Sequence, residues 1–510
     1  MSPHPARLIS LASACLLATP AIAQRSESVS SLWNNMCVAC HGKDGKGGGA
    51  GTRTLHTKEL FSQNYDRVFF DTIKNGRPGT GMEAMGQTLS DEQVWGLVVH
   101  IRELQAAALR AAGGPRPNNA GVYESQHHLY SLEKVITDGL TLPWAVAWLP
   151  DGAMLVTERA GRLRIWKDGK LSEPVAGLPV SREVGQGGLM DVAVHPEVAS
   201  NGFVYLAYND AASNAGNAPT MTTIVRGKLT AAQDGGWNFT DQKTIFMADK
   251  KHYIASGVHF GCRIVFGPQV PAEGNKRHLY FSIGERGQGR MAQDLARPNG
   301  KIHRVWDDGS LPTDNPFVSK DGADATIWSF GHRNPQGLVF DLAGNLWDTE
   351  HGPRGGDELN LIQKGRNYGW PLVAFSINYN DAPLTVPWPA ISDDVEKANV
   401  DPTSITLPVD RWLPSVGVCG LAVMGPGPKG EAFPAWKGDL FAGGLSGQSV
   451  DRFRIKDGEV VEREEILRGL ARVRDVKLAP DGTLYVVFND PDQVVRLVPV
   501  QSGDAKKSGS

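Results

Sequence analysis

Cysteine is scarce, with five residues in a chain of 510. That excludes a small scaffold built on disulfides. An excess of basic charge is missing too: 52 Lys and Arg face 55 Asp and Glu, for a net charge of −3. A nucleic-acid partner selects for the opposite balance, so none is expected. Long apolar runs are also lacking. The one near the N-terminus, "RLISLASACLLATPAIAQ", is too short to cross a bilayer, and no later segment is apolar enough, so no membrane span is expected. Arg7, the apolar stretch and Ala21-Ile22-Ala23 before Gln24 instead make a secretory signal peptide over residues 1–23. The mature chain is therefore expected in the periplasm or outside the cell. What the chain has in abundance is Gly and Pro, about 18% together. That favours many turns and short strands over long helices.

Just after the signal peptide stands "NNMCVACHGKDGKGGG". In a C-x-x-C-H run, Cys37 and Cys40 can add across the two vinyl groups of a haem while His41 takes one axial position on the iron. A methionine for the other position is available at Met82 or Met85 in "GTGMEAMG". Ser90 to Gln93 spell a capping box, Leu89 and Val94 its hydrophobic staple, and Val94, Leu97, Val98 and Ile101 share one helical face. Residues 24–107 thus read as a small all-α haem domain. The segment resembles class I c-type cytochromes, whose loop reads Gly-x-x-Met-Pro-x-Phe-Gly before the last helix. The resemblance puts Met82 on the ligand position and Met85 on the usual aromatic, with Glu83 in place of the proline. A thioether ligand raises the haem potential and makes it a ready electron acceptor. The Gly-Gly-Pro-Arg-Pro-Asn-Asn stretch marks residues 108–128 as a linker. Residues 501–510 form a polar tail, expected to be disordered. Cys15 leaves with the signal peptide, and Cys262 and Cys419 remain, either as one disulfide or as two buried thiols.

From residue 129 an apolar stretch, a Pro/Gly turn and a hydrophobic strand recur. The six instances begin at "AVAWLPDGAMLVTE", "DVAVHPEVASNGFVYLAYND", "RIVFGPQVPAEGNKRHLYFSIGE", "GLVFDLAGNLWDTEHG", "GLAVMGPGPKGEAFPAWKGDLFAGG" and "DVKLAPDGTLYVVFND". Six strand–turn–strand units point to radial repetition, a six-bladed β-propeller over 129–500. A sandwich, or two β domains, is the alternative. Candidate chemistry lies between these units. His259 precedes an apolar strand, Arg333-Asn334 open another, and Arg472 and Arg474 stand two apart. "EHGPRGGDELNLIQKGRNYGWP" sets acidic residues among glycines, which suits a hard cation.

Taken in order, "GQGGLMDVAVHP", "HFGCRIVF", "IGERGQGRMAQDL", "GHRNPQGLVF", "EHGPRGGDELNLIQKGRNYGWP" and "RVRDVKLAPDG" resemble the soluble quinoprotein aldose sugar and glucose dehydrogenases. The resemblance covers residues 132–499. It implies a propeller holding pyrroloquinoline quinone (PQQ) over one end of its central channel. His259 would be the base that takes the proton of the anomeric hydroxyl while hydride passes to the quinone. Glu285 would orient it. Gln186, Arg333 and Asn334 would contact PQQ, and Arg472 and Arg474 would bind its carboxylates. Gly352 and Pro353 would offer backbone carbonyls to a calcium ion beside the quinone, while Glu358 and the carbonyl of Tyr368 would hold a second, structural calcium. The sequence departs from the family at Ser446, where a lysine is expected, and at Val258, which replaces a polar residue. The implied function is a periplasmic quinohaemoprotein dehydrogenase. It would oxidise aldoses to lactones and pass electrons from PQQ to its own haem c, then to a periplasmic cytochrome, copper protein or quinone pathway. A calcium-dependent propeller lactonase and a degenerate binding or relay propeller are the alternatives.

Overall fold

In the computed structural model, the structure describes residues 27–48, 52–233, 235–274, 276–383, 404–425 and 432–501. The expected signal peptide and all but the first residue of the expected tail lie outside them.

Six antiparallel sheets form the large domain, five of four strands and one of five. In chain order, blade 1 starts at Pro143–Trp148, blade 2 at Leu189–Val194, blade 3 at Ile264–Val270, blade 4 at Pro335–Phe340, blade 5 at Val418–Val423 and blade 6 at Arg472–Leu478. Each of these first strands touches the first strand of the next blade, and that of blade 6 touches that of blade 1, so the ring is closed. The repeated turns have a local cause. In "LPDG", "DLAG" and "APDG" an aspartate side chain accepts the backbone N–H two residues on: Asp151 from Ala153 at 3.1 Å, Asp341 from Ala343 at 2.9 Å and Asp481 from Thr483 at 2.9 Å. That fixes the hairpin joining the first two strands of blades 1, 4 and 6. Blade 6 is built from both ends of the domain. Leu129–Ile136 pairs with Gln493–Pro499 and carries Val122–Glu124 on its outer edge.

The centre of the ring is pinned by Arg263. Its guanidinium is fully buried and pairs with Asp191 of blade 2 at 3.2 Å and Asp475 of blade 6 at 3.0 Å, while Nε donates to the Gln336 carbonyl of blade 4 at 2.5 Å. Burial works against its charge, and Asp475 and Asp191 more than offset it, so the pKa sits above the ordinary arginine value.

In the small domain, α1 (Val29–Leu32) runs through a π-wound turn, Trp33–Cys37, into α2 (Val38–His41), followed by α3 (Tyr65–Asn75) and α4 (Asp91–Ala111). The capping box forms: Ser90 Oγ accepts from Gln93 N, and Gln93 Oε1 accepts from Ser90 N at 2.9 Å. Val94, Leu97, Val98 and Ile101 are buried against Val29, Leu32, Trp33 and Phe70. The stretch read as a linker, 108–128, is shorter in the structure. Its first four residues complete α4, and Val122–Glu124 are paired in blade 6, which leaves 112–121 as the unpaired connection.

The two domains share a charged seam. Asp66 of α3 is buried, accepts from Arg102 of α4 at 2.6 Å and pairs with Arg411 of blade 4. Glu103 of α4 makes a two-pronged ion pair with Arg354, at 3.0 and 3.1 Å.

Candidate active site

His259 follows the turn that leads into blade 3 and has φ of +54°. A non-glycine residue in this left-handed region is strained unless its surroundings hold it there. They do. Its backbone N–H donates to Gln186 Oε1 at 2.8 Å, and its Nδ1 is bonded to Glu285 Oε1. Its carbonyl lies where a side chain on Gly284 would fall, 2.2 Å from the Cβ such a side chain would need. Arg286 ties down the preceding loop by donating to the carbonyls of Val258 (3.0 Å) and Ser256 and to Thr220, with its guanidinium stacked 3.7 Å above Phe260. Burial lowers the His259 pKa, and the Arg333 and Arg286 charges add to this. The Glu285 hydrogen bond works the other way and does not restore the ordinary value.

Arg333 lies near enough for its charge to act on His259, and Arg472 and Arg474 share the first strand of blade 6. Arg333 Nη1 donates to the carbonyls of Gly352 (3.0 Å) and His351 (3.3 Å), and its buried Nε has no partner. Arg474 sits at an irregularity of the first strand of blade 6, beside Gln336 and Asn489 at 3.4 Å each. Burial first, then the like charges of Arg263 and Arg472, pull it down to about 10. Arg472 is exposed at the strand's start. Among the described residues no ion pair joins a carboxylate to any of the three arginines. Arg333 is buried and Arg474 half-buried, and a buried cation without a carboxylate beside it is costly.

Two of the expected cofactor contacts also hold the backbone of the site through their amide oxygens. Gln186 spends its oxygen on His259 N, and Asn334 spends its own on Gly261 N at 3.0 Å. The Gly352 carbonyl, an expected calcium ligand, already accepts from Arg333. The orphaned acceptors lie elsewhere in blade 4. Asp348 pairs across the sheet with Asn360, and Glu350 with Glu358, which puts all four on one face. Both Asp348 oxygens are buried without a partner, and burial and the Glu350 charge push Asp348 and Glu358 well above the carboxylate range. Tyr368 stacks its ring on His332, which bonds Glu350 at 3.0 Å. Sequence reasoning singled out Glu358 and Tyr368 and passed over Asp348 and Glu350, which share their face of the sheet or its edge. Their alternation on "WDTE" was the available signal.

In the small domain Cys37, Cys40, His41 and Met82 are all partly exposed, and Cys37, Met82 and Met85 pack on the same core. Both thiols are free, and His41 Nδ1 is buried without a partner. Cys262 and Cys419 are also free and buried, so the disulfide alternative fails. Cys419 donates instead to the Val473 carbonyl at 2.7 Å.

Residues 140–497 match the Glucose / Sorbosone dehydrogenase family, and residues 24–101 match Cytochrome C oxidase, cbb3-type, subunit III. The chain belongs to the glucose/sorbosone dehydrogenase family. It is 40% identical over 362 residues to Aldose sugar dehydrogenase YliI of Escherichia coli K12, covering 70% of this chain and 90% of that one. The solved apo-form of the soluble aldose sugar dehydrogenase from Escherichia coli superposes with a TM-score of 0.62 at 36% identity, over 73% of this chain and all of that one. The PQQ-bound aldose sugar dehydrogenase from Streptomyces coelicolor gives 0.55 at 26% identity, over 73% and 98%. This member of the dehydrogenase family is an oxidoreductase with a cytochrome c domain at its N-terminal end.

Proposed function

We propose that the chain oxidises aldoses at the anomeric carbon to lactones in the periplasm, with PQQ as its quinone and a haem c on its small domain as the next electron carrier. The observation that supports this most is the His259–Glu285 pair with Arg333 beside it, while among the described residues no carboxylate pairs with Arg333, Arg472 or Arg474. PQQ carries three carboxylates, which the planar fork of arginine suits. Arg333, Arg472 and Arg474 would hold it, with Gln186 and Asn334 at its edge. When bound, it supplies a sink for the two electrons of sugar oxidation. The protein's own part is proton transfer and orientation. His259 Nδ1 is engaged by Glu285, so Nε2 is the atom that takes the proton of the anomeric hydroxyl. The Glu285 carboxylate fixes the tautomer and stabilises the imidazolium.

Cys37 and Cys40 would anchor the haem, with His41 and Met82 on the iron. The unpartnered oxygens of Asp348, with Glu350, half-buried Glu358 and Tyr368 nearby, would suit a structural calcium ion. Gly352 and Pro353 remain candidate ligands for a second one. A periplasmic cytochrome, copper protein or quinone pathway would take the electrons onward.

The test is rapid mixing of haem-loaded protein, reconstituted with PQQ and calcium, with aldoses while haem reduction is followed at several protein concentrations. A rate constant that does not change with protein concentration supports transfer within one chain. A rate that scales with concentration, or a haem that stays oxidised while added dye is reduced, overturns it. Failure to oxidise any aldose defeats the whole reading.

A further inference from the structure

The small domain is built partly from propeller residues. Ile377 follows the third strand of blade 4, yet it is fully buried in the small domain's core, with Leu413 packed against the same cluster. It lies where α1 meets α4. A side chain on Gly96 of α4 would fall 2.7 Å from Val29 Cγ2 and 3.8 Å from Ile377 Cγ2. Ile377 and Pro383 bridge across a tight turn, in which Asp381 N donates to the Asn378 carbonyl at 3.0 Å. Asp381 then caps α1 from outside. The first N–H groups of a helix have no partner within it. Ser28 Oγ accepts from Ser31 N at 3.1 Å, but Val29 N and Ser30 N donate to the propeller, to the Asp381 carbonyl at 2.8 Å and to its carboxylate at 2.9 Å. From there α1 runs through the π-wound turn into the haem motif.

Arg354 joins these points. Its guanidinium pairs with Asp381 at 2.8 Å and with Glu103 of α4 at 3.0 and 3.1 Å. It stands two residues after Gly352, whose carbonyl accepts from Arg333. Beyond Glu103 the contacts continue inward. His100 lies 3.7 Å from Glu103, the His100 and Trp33 rings are 5.2 Å apart, and those of Trp33 and His41 are 6.1 Å apart. The side of the small domain that the propeller grips is therefore the side of the histidine expected on the haem iron. A further hold comes from α3 and the residues before it: Gln63 Nε2 donates to the Arg411 carbonyl at 3.0 Å, and Asp66 pairs with Arg411. Two domains on a short connection ordinarily move against each other, and exposed ion pairs do little to stop them. A core side chain lent by one domain to the other does stop them. Any swing would draw Ile377 into water and take the acceptors from Val29 N and Ser30 N.

We propose that the small domain is fixed on the propeller by the 377–383 turn, and that electrons reach the haem across this seam with no swing of the domain. The second clause rests on the haem c reading given above. The first does not.

The experiment uses the full-length haem-loaded chain, first without quinone. Cys262 and Cys419 are fully buried, so Ala343→Cys, on the exposed hairpin of blade 4, takes a nitroxide label alone. Pulsed electron paramagnetic resonance then reads the distribution of distances between the label and the ferric haem. One narrow distribution is expected in the otherwise wild-type chain, and high salt is expected to leave it narrow. In Ile377→Ala/Asp381→Ala it is expected to broaden. A broad distribution in the wild type, or one that the double change leaves narrow, overturns the proposal. If the double variant takes up no haem, Asp381→Ala alone is judged by the same criteria. With quinone, calcium and an aldose added, haem reduction relative to reduction of an added dye is expected to fall on the order of 10- to 100-fold in the double variant, the size of a small misplacement of reacting groups. An unchanged ratio in a variant whose distances have broadened overturns the clause on electrons. A wild type that oxidises no aldose defeats the reaction reading instead, and the distances still decide whether the domain is fixed.

Discussion

At the level of single residues, the site is held together by groups that looked from sequence like ligand contacts. Gln186 and Asn334 spend their oxygens on the N–H groups of His259 and Gly261. They stabilise a left-handed histidine whose strain would otherwise be relieved by moving the imidazole. His259→Ala removes the base itself, and turnover is expected to fall roughly 10²–10⁴-fold in a steady-state assay, with quinone binding kept. The pH profile gives a second check. A base works only when unprotonated, and burial holds this one below the ordinary histidine value of 6.5. The acid limb of kcat/KM is therefore expected below that pH, with activity lost as pH falls through the lowered pKa. A limb at or above it would mean that another group limits the rate.

The elements show which parts of the protein can be read from sequence. The hairpin aspartates, the capping box and the alternation of buried strand residues are local patterns, and each reappears where its spacing put it. The C-x-x-C-H motif and the blocks from Gly331 to Pro371 are local as well. What escaped were pairings across the fold. Arg263 reaches Asp191 and Asp475 in two other blades, and no spacing rule connects residues 72 and 212 positions apart. Arg354 and Glu103 are separated by 251 positions, and Asp66 and Arg411 by 345. Close backbone approach is a third kind of hidden fact. Gly284 reads as part of a turn, yet its missing side chain makes room for the carbonyl of His259. Gly284→Ala is expected to displace the base, with a loss of turnover well beyond its loss of stability. Comparing kcat with the melting temperature of the same preparation checks this, and a kcat within twofold of wild type would remove the constraint.

For the whole molecule, the seam between domains matters most. Asp66 is buried between Arg102 and Arg411, and removing it takes away the carboxylate that joins a guanidinium of the small domain to one of blade 4. Breaking such a buried pair typically costs about 3–5 kcal/mol. Asp66→Ala is expected to lower the melting temperature and to expose the 112–121 connection to protease. Resistance equal to wild type would show that the seam is not what holds the domains together. The way blade 6 is assembled bears on how the protein is made. Its sheet needs Leu129–Ile136, which emerges early in synthesis, and Gln493–Pro499, which emerges last. The ring therefore stays open until the ribosome has almost finished. Arg354, Ile377, Asp381 and Arg411, which grip the small domain, are also made long after it. The thiols of Cys37 and Cys40 thus exist for most of the chain's synthesis on a domain with nothing yet to dock against, which leaves an interval for chemistry on them before the propeller closes.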